Sequence, residues 1–359
     1  MKHPHRIQID LNERPFILFW EITRACPLAC KHCRAAAQPR PSPGELNTEE
    51  GKKLLQDIAE LRPPMLVLTG GDPMMRRDLH ELIAHAAALG LRVALSPAAT
   101  PLLLQADFAA LKSAGVHSMS LSLDGARRET HDAFRGVPHT FDRTIQAARM
   151  AKEAGIHLQI NTTITKSTLS ELQDFHHLMK ELKPDMWSVF LLVPTGRASL
   201  DQMPSAAEVE QAWHELARLS KEVDFGVKTT EGHHYRRVAI QEAAKRGGAP
   251  ARQAVPTRDG KGVLFISHTG SIQPSGFLPI ALGDVRKDNL AEIYRTHPLM
   301  IRLRDDDALR GKCGRCEFRH LCGGSRARAY GMTGDPFAAE PLCSYIPKAA
   351  PHSEPLQTS

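Results

Sequence analysis

The chain has 359 residues, 42% of them hydrophobic, a formal charge of +6 and seven cysteines. That length exceeds what one core usually holds and predicts about two domains; no run approaches the ~20 apolar residues of a membrane span, and the N-terminus lacks an apolar signal region, so a soluble, cytoplasmic protein is expected. Seven cysteines are too sparse for a secreted disulfide scaffold. Basic residues scattered among nearly as many acids, with only 5% aromatics, predict no nucleic-acid partner.

After an N-terminal arm over 1–14, the apolar segment Phe16 to Ile22 reads as a strand that ends in a loop carrying Cys26, Cys30 and Cys33. Three thiolates at C-x3-C-x2-C can cap three corners of an iron-sulfur cube and leave one iron open to a small molecule. Zinc with a fourth ligand elsewhere, or simple burial, is the alternative. Asn47 to Glu50 has the residues of a helix start, and that helix runs to about Leu61. Strands at 65–69, 92–95, 117–123, 157–163 and 186–193 then alternate with helices at Asp78 to Leu89, Leu102 to Ala114, 140–154 and 168–182. This alternation predicts a parallel sheet wrapped by helices. About six strand-helix units over 15–200 are fewer than the eight of a closed barrel, so the fold class expected is α/β, an open six-unit partial barrel. Ligands in such folds collect at the carboxyl ends of the strands, where the cysteine loop sits. Residues 201–262 read as a helical bridge, Ser205 to Glu222, and a linker rich in Gly, Pro and charge. A second, small domain over 263–347 opens with a hairpin turned at Thr269-Gly270, and a disordered tail covers 348–359.

Chemistry-bearing residues gather at strand ends. Gly70-Gly71-Asp72-Pro73 ends the second strand; glycines let backbone approach a ligand closely and proline fixes the turn. Ser122 and Asp124 share a side by period-two alternation, with Arg135 downstream. Asn161, Thr163 and Thr165 occupy alternate positions on the fifth strand, and Val193 to Arg197 terminates the sixth. Cys313, Cys316, Cys322 and Cys343 supply four thiolates, a closed site for zinc or a cluster. His176-His177 and His233-His234 have no cysteine or carboxylate at ligand spacing and read as surface histidines; Tyr235 and Tyr330 read as packing residues.

The cysteine loop resembles that of the radical SAM enzymes, with His32 where that family usually has another aromatic residue. The resemblance implies a 4Fe-4S cluster on Cys26, Cys30 and Cys33 whose open iron chelates S-adenosylmethionine. Gly70 to Pro73 is similar to the family's Gly-Gly-Glu-Pro motif, with Asp72 for Glu, which implies backbone contact with the methionine amino group. Residues 120–125 resemble its Ser-x-Asp-Gly element, which implies that Ser122 and Arg135 meet the cofactor carboxylate, that the Asn161 and Thr163 strand lies near ribose, and that the segment from Val193 borders adenine. The C-terminal cysteines resemble the auxiliary-cluster domain called SPASM. Ser275 and Arg326 stand where a full SPASM domain has cysteines of a first auxiliary cluster, so the resemblance implies one further 4Fe-4S cluster, on Cys313, Cys316, Cys322 and Cys343. The stretch from Cys322 to Ala329, with Thr333 to Pro336, is similar to members that modify porphyrin side chains in haem and haem d1 synthesis, whose propionates would suit Arg326 and Arg328. A ribosomally made peptide is the other substrate reading, a flavodoxin- or ferredoxin-type protein the implied electron donor, and a non-catalytic iron-sulfur or zinc protein the reading from another class.

Overall fold

The computed structural model describes residues 9–247 and 255–348. The first eight residues of the expected arm, part of the expected linker and the expected tail from 349 lie outside them.

Ten strands form one sheet: β1 (Ile17–Glu21), β2 (Met65–Thr69), β3 (Val93–Leu95), β4 (Val116–Ser122), β5 (His157–Ile164), β6 (Met186–Leu191), β7 (Gly226–Thr230), β8 (Val263–Ile266), β9 (Ser271–Gln273) and β10 (Gly283–Asp284). Their spatial order is β10-β9-β8-β1-β2-β3-β4-β5-β6-β7. Every pairing from β8 across to β7 is parallel, and only β9 and β10 run antiparallel. Because β7 and β8 do not pair, the barrel stays open.

Each strand sorts its side chains by alternation. On β1, Leu18 and Trp20 are fully enclosed against the helical layer, while Ile17 and Phe19 face the barrel interior. Helix Thr48–Leu61 starts where Asn47 and Glu50 exchange side-chain and backbone hydrogen bonds in a capping box. Its Gly51 lies under the Trp20 ring, where a Cβ would come within 2.8 Å of a ring carbon. Among the described residues no helix is long and apolar enough to cross a membrane.

Three details differ from the sequence reading. The span Leu102 to Ala114 is two helices, Pro101–Gln105 and Phe108–Ala114, because Asp107 leaves the helix to accept from the Ala110 N–H and cap the second one. The bridge after 200 contains a seventh parallel barrel strand, β7; its polar, half-buried Gly226 to Thr230 sequence lacks the apolar run that marks the other strands. The hairpin at 263–273 forms, with Gly270 at φ +91° in its turn, but its first strand also pairs with β1, so it extends the barrel sheet.

Candidate functional site

The cysteine loop leaves β1 and is clamped by backbone. Cys26 N–H donates to Gln38 O at 2.8 Å, and Gln38 N–H returns to Arg24 O at 3.1 Å. Arg197 closes the other side, its Nε on Cys30 O at 2.9 Å and Nη1 on Ala37 O at 3.1 Å. Gly196 is required there, since a Cβ would meet the Cys33 and Arg34 carbonyl oxygens at 2.3 Å. The segment after β6, expected to border adenine, therefore braces the loop, while Val193 lines the central cavity.

All seven cysteines are free thiols. In the loop, Leu28 N–H points at Cys26 Sγ at 3.4 Å, Ala37 N–H at Cys33 Sγ at 3.4 Å and Arg135 Nη1 at Cys30 Sγ at 3.6 Å. Three sulfurs each served by an N–H donor suit a cluster, whose sulfur ligands are stabilised by such bonds. Burial pushes the Cys26 thiol up to about 12, so iron would replace a proton that this sulfur otherwise keeps.

Gly70 and Gly71 pack on this loop. A Cβ on Gly70 would meet Thr23 O at 2.6 Å and one on Gly71 would meet Ala25 O at 2.4 Å; Gly71 and Asp72 N–H donate to Thr23 and Ala25 carbonyls. The Asp72 carboxylate is buried in the turn, accepting from Met74 N–H, Ala98 N–H and Thr100 Oγ1 at 3.0–3.2 Å. Burial raises its pKa to about 6 despite those donors. The close backbone approach read from the glycines is made to the cysteine loop, with Pro73 opening the short helix Pro73–Met75.

Asp124, fully buried after β4, organises the opposite side. Its Oδ1 accepts from Thr163 N–H at 2.7 Å, its own N–H donates to His131 Nδ1 at 3.1 Å, and Arg135 pairs with its Oδ2. Burial opposes the charges of both partners, yet each holds the other ionised: Asp124 stays below the usual carboxylate range and Arg135 above its ordinary value. His32 stacks on Phe134 with centroids 4.3 Å apart. Burial pushes it down to about 4 against the pull of Asp124. Thus His32 fills the aromatic packing position as a neutral ring.

Inside the barrel lies a cavity of about 640 Å³. Ser122, Asn161 and Thr163 line it, as do Phe19, Phe190 and Phe277. Thr165 does not; it is tied into the turn with Ser167 and Thr168. The cavity reaches from His32 beside the cysteine loop to Leu321 beside Cys322.

The four C-terminal cysteines line a separate pocket of about 30 Å³ with His234, Arg237 and Tyr345. Arg326 and Arg328 are fully enclosed and line neither of these two cavities. Arg326 donates to Pro336 and Ala338 carbonyls; Arg328 donates to Leu191, Leu192 and Glu231 carbonyls and pairs with Glu340. They are therefore not the propionate contacts expected from their charge. At the two positions where SPASM cysteines are missing, Ser275 Oγ and Arg326 N–H both donate to the buried Asp259, with Ala327 N–H as a third donor. Nothing in a charged, Gly-rich loop marked Asp259 as the centre of a knot.

The surface reading holds for His177 but not for His176, His233 or His234, which are buried. The turn at Gly232 packs on Trp213, leaving a Cβ there only 2.6 Å from the indole, and this draws both following histidines inside. Burial lowers His234 to about 4 and holds His233 well below its ordinary value. Ligand atoms of Glu231, His233 and Asp259 lie within 4.8 Å of one another, so carboxylates do neighbour His233, from positions that sequence spacing did not connect. Tyr235 packs edge-on to Trp213 and Tyr330 against the C-terminal apolar cluster, as expected.

A family model described as the radical SAM superfamily matches residues 20–179. The AdoMet-dependent heme synthase of Nitratidesulfovibrio vulgaris is 42% identical over 341 residues, 92% of this chain and 93% of that protein. The AdoMet-dependent heme synthase of Methanosarcina barkeri is 38% identical over 349 residues, 94% of this chain and 99% of that protein. Streptococcus suis SuiB bound to S-adenosylmethionine superposes with a TM-score of 0.69 at 17% identity, over 93% of this chain and 78% of that one, a likeness of fold. Relatedness along nearly the whole chain, together with an open parallel barrel that carries three free cysteines at the end of its first strand, establishes that this chain belongs to the radical SAM superfamily and is an enzyme of that class, built for a 4Fe-4S cluster and S-adenosylmethionine.

Proposed function

We propose that this enzyme modifies carboxylate-bearing side chains of a tetrapyrrole. The observation that carries the reading is the cavity of about 640 Å³, in the upper half of the ~300–1,000 Å³ range of ligand sites, whose length runs from one cysteine group towards the other. Similarity to two heme synthases supports it.

In this reading Cys26, Cys30 and Cys33 hold the first cluster. When bound, that cluster and S-adenosylmethionine supply the 5'-deoxyadenosyl radical that abstracts hydrogen from the substrate. Gly70, Gly71, Asp72 and Pro73 shape the methionine side of the cofactor site. Ser122, Thr163 and Val193 face it from the barrel, and Asp124 keeps Arg135 charged and aimed at the loop. Phe190 and Phe277, with centroids 6.4 Å apart, keep water from the far wall.

Cys313, Cys316, Cys322 and Cys343 hold a second 4Fe-4S cluster in this reading, for electron transfer. The likeness of this region to SPASM auxiliary-cluster domains favours a cluster over zinc. A flavodoxin- or ferredoxin-type protein is the electron donor.

The test is anaerobic reconstitution followed by iron and sulfide analysis, then reduction with S-adenosylmethionine in the presence and absence of iron coproporphyrin III. Expected are about eight irons per chain, 5'-deoxyadenosine release stimulated by the porphyrin, and a change in porphyrin mass, all release being lost in Cys30→Ala. Release without any effect of porphyrin would end the tetrapyrrole reading; about four irons with one zinc would make the C-terminal site structural.

A further inference from the structure

Among the described residues, two cations that line the cavity, Lys228 and Arg236, form no ion pair. Strand register locates the first. Ser122 pairs with Asn161, Asn161 with Ser188, and Ser188 with Lys228, so these four form one row and their side chains leave the sheet on the same face. Ser122 and Asn161 line the cavity, and Lys228 does too. Lys228 is exposed, and the space its side chain enters is the cavity itself. Among the described residues it has no hydrogen-bond or ion-pair partner.

The second is Arg236, in the first turn of the helix Tyr235–Lys245 that follows β7. Its guanidinium meets two backbone carbonyls, Leu321 O at 3.1 Å and Thr257 O at 2.8 Å, and forms no ion pair among the described residues. The other arginines of the cavity wall are matched: Arg34 Nη2 lies 2.6 Å from Glu21 and Arg258 Nη1 2.5 Å from Asp306. Val227, Ala239 and Ile240 make the surrounding wall apolar.

Two cations that face one largely apolar cavity without a counter-charge form a site for an anion, whose binding the low-polarity wall strengthens. Asp259, also in the cavity wall, forms no ion pair with either cation; both its oxygens are turned to Ser275 and two backbone N–H groups. We propose that Lys228 and Arg236 bind peripheral carboxylates of the substrate, seating a flat, apolar, polyanionic macrocycle against β7 and the helix that follows. This inference rests on the tetrapyrrole reading and adds the residues that hold the ligand.

The experiment is absorbance titration of the cluster-loaded enzyme with iron coproporphyrin III, for wild type, Lys228→Met, Lys228→Arg and Arg236→Gln, with iron content and melting temperature measured on each. Binding at least tenfold weaker in Lys228→Met and in Arg236→Gln, and restored within a few-fold in Lys228→Arg, with iron content unchanged, is the expected result. If wild type binds and Lys228→Met binds equally well, the assignment of Lys228 is overturned while the tetrapyrrole reading stands. Lack of binding by wild type would remove that reading and this inference with it.

Discussion

Arg328 Nη2 donates to Leu191 O at 3.0 Å, from a side chain with no solvent exposure. One guanidinium thus joins the helix behind Cys322 to the carboxyl end of β6, and its Nη1 holds Glu340, three residues before Cys343, at 2.9 Å. The C-terminal cysteines are placed relative to the barrel through this contact.

Arg328→Met should therefore act on both ends. It leaves the Glu340 charge buried without its partner, a loss of about 3–5 kcal/mol. A lower melting temperature and selective loss of C-terminal iron, with the S-adenosylmethionine site still loaded, are expected by calorimetry and by iron analysis of Cys30→Ala and Arg328→Met in parallel.

Gly71→Ala places a methyl group 2.4 Å from Ala25 O, with backbone on both sides and no flexible side chain to yield. Overpacking of this kind costs about 1–3 kcal/mol, and here the strain falls on the loop that carries Cys26. Reconstitution should give fewer irons and little 5'-deoxyadenosine, even though no metal ligand has changed.

Arg135→Gln removes the partner of Asp124 and weakens the donor to Cys30 Sγ. Deoxyadenosine release should fall at least tenfold with iron content maintained. Redox titration followed by electron paramagnetic resonance should show a lower potential for the first cluster, because a positive hydrogen-bond donor to sulfur favours the reduced state. An unchanged potential would leave Arg135 with a packing role only.

Glu231 supplies a pH test. Burial, then the Asp259 charge, raises its carboxyl from 4.5 to about 8. Between those values the unfolded chain releases a proton that the folded chain keeps, so the stabilisation is complete below pH 4.5 and is lost as pH rises towards 8. The loss is at most roughly 1.4 kcal/mol per pH unit. Glu231→Gln keeps the acceptor for Ser325 Oγ but has no proton to lose, so its melting temperature should decline less than that of wild type from pH 6 to pH 8.

Much of the scaffold was legible in the residue order because its signals are local. The Asn47–Glu50 capping box, the apolar strands from β1 to β6 and the spacing of Cys26, Cys30 and Cys33 each lie within a few residues, where covalent geometry and hydrophobic alternation decide the outcome. Polar β7 lacked such a signal; it is a strand because β6 presents an edge for it to pair with.

What only the tertiary structure decided are the meetings of residues distant in sequence. The family motifs identified the cysteine sets and the cofactor side of the barrel, but the net charge of +6 did not distinguish Arg326 and Arg328, consumed by carbonyls and Glu340, from Lys228 and Arg236 in the cavity wall. Nor did His233 carry a sign that Glu231 and Asp259 would surround it. Hydrogen-bond satisfaction and burial are properties of packing across the chain, and they determine which charges are spent on the fold and which remain to meet a ligand.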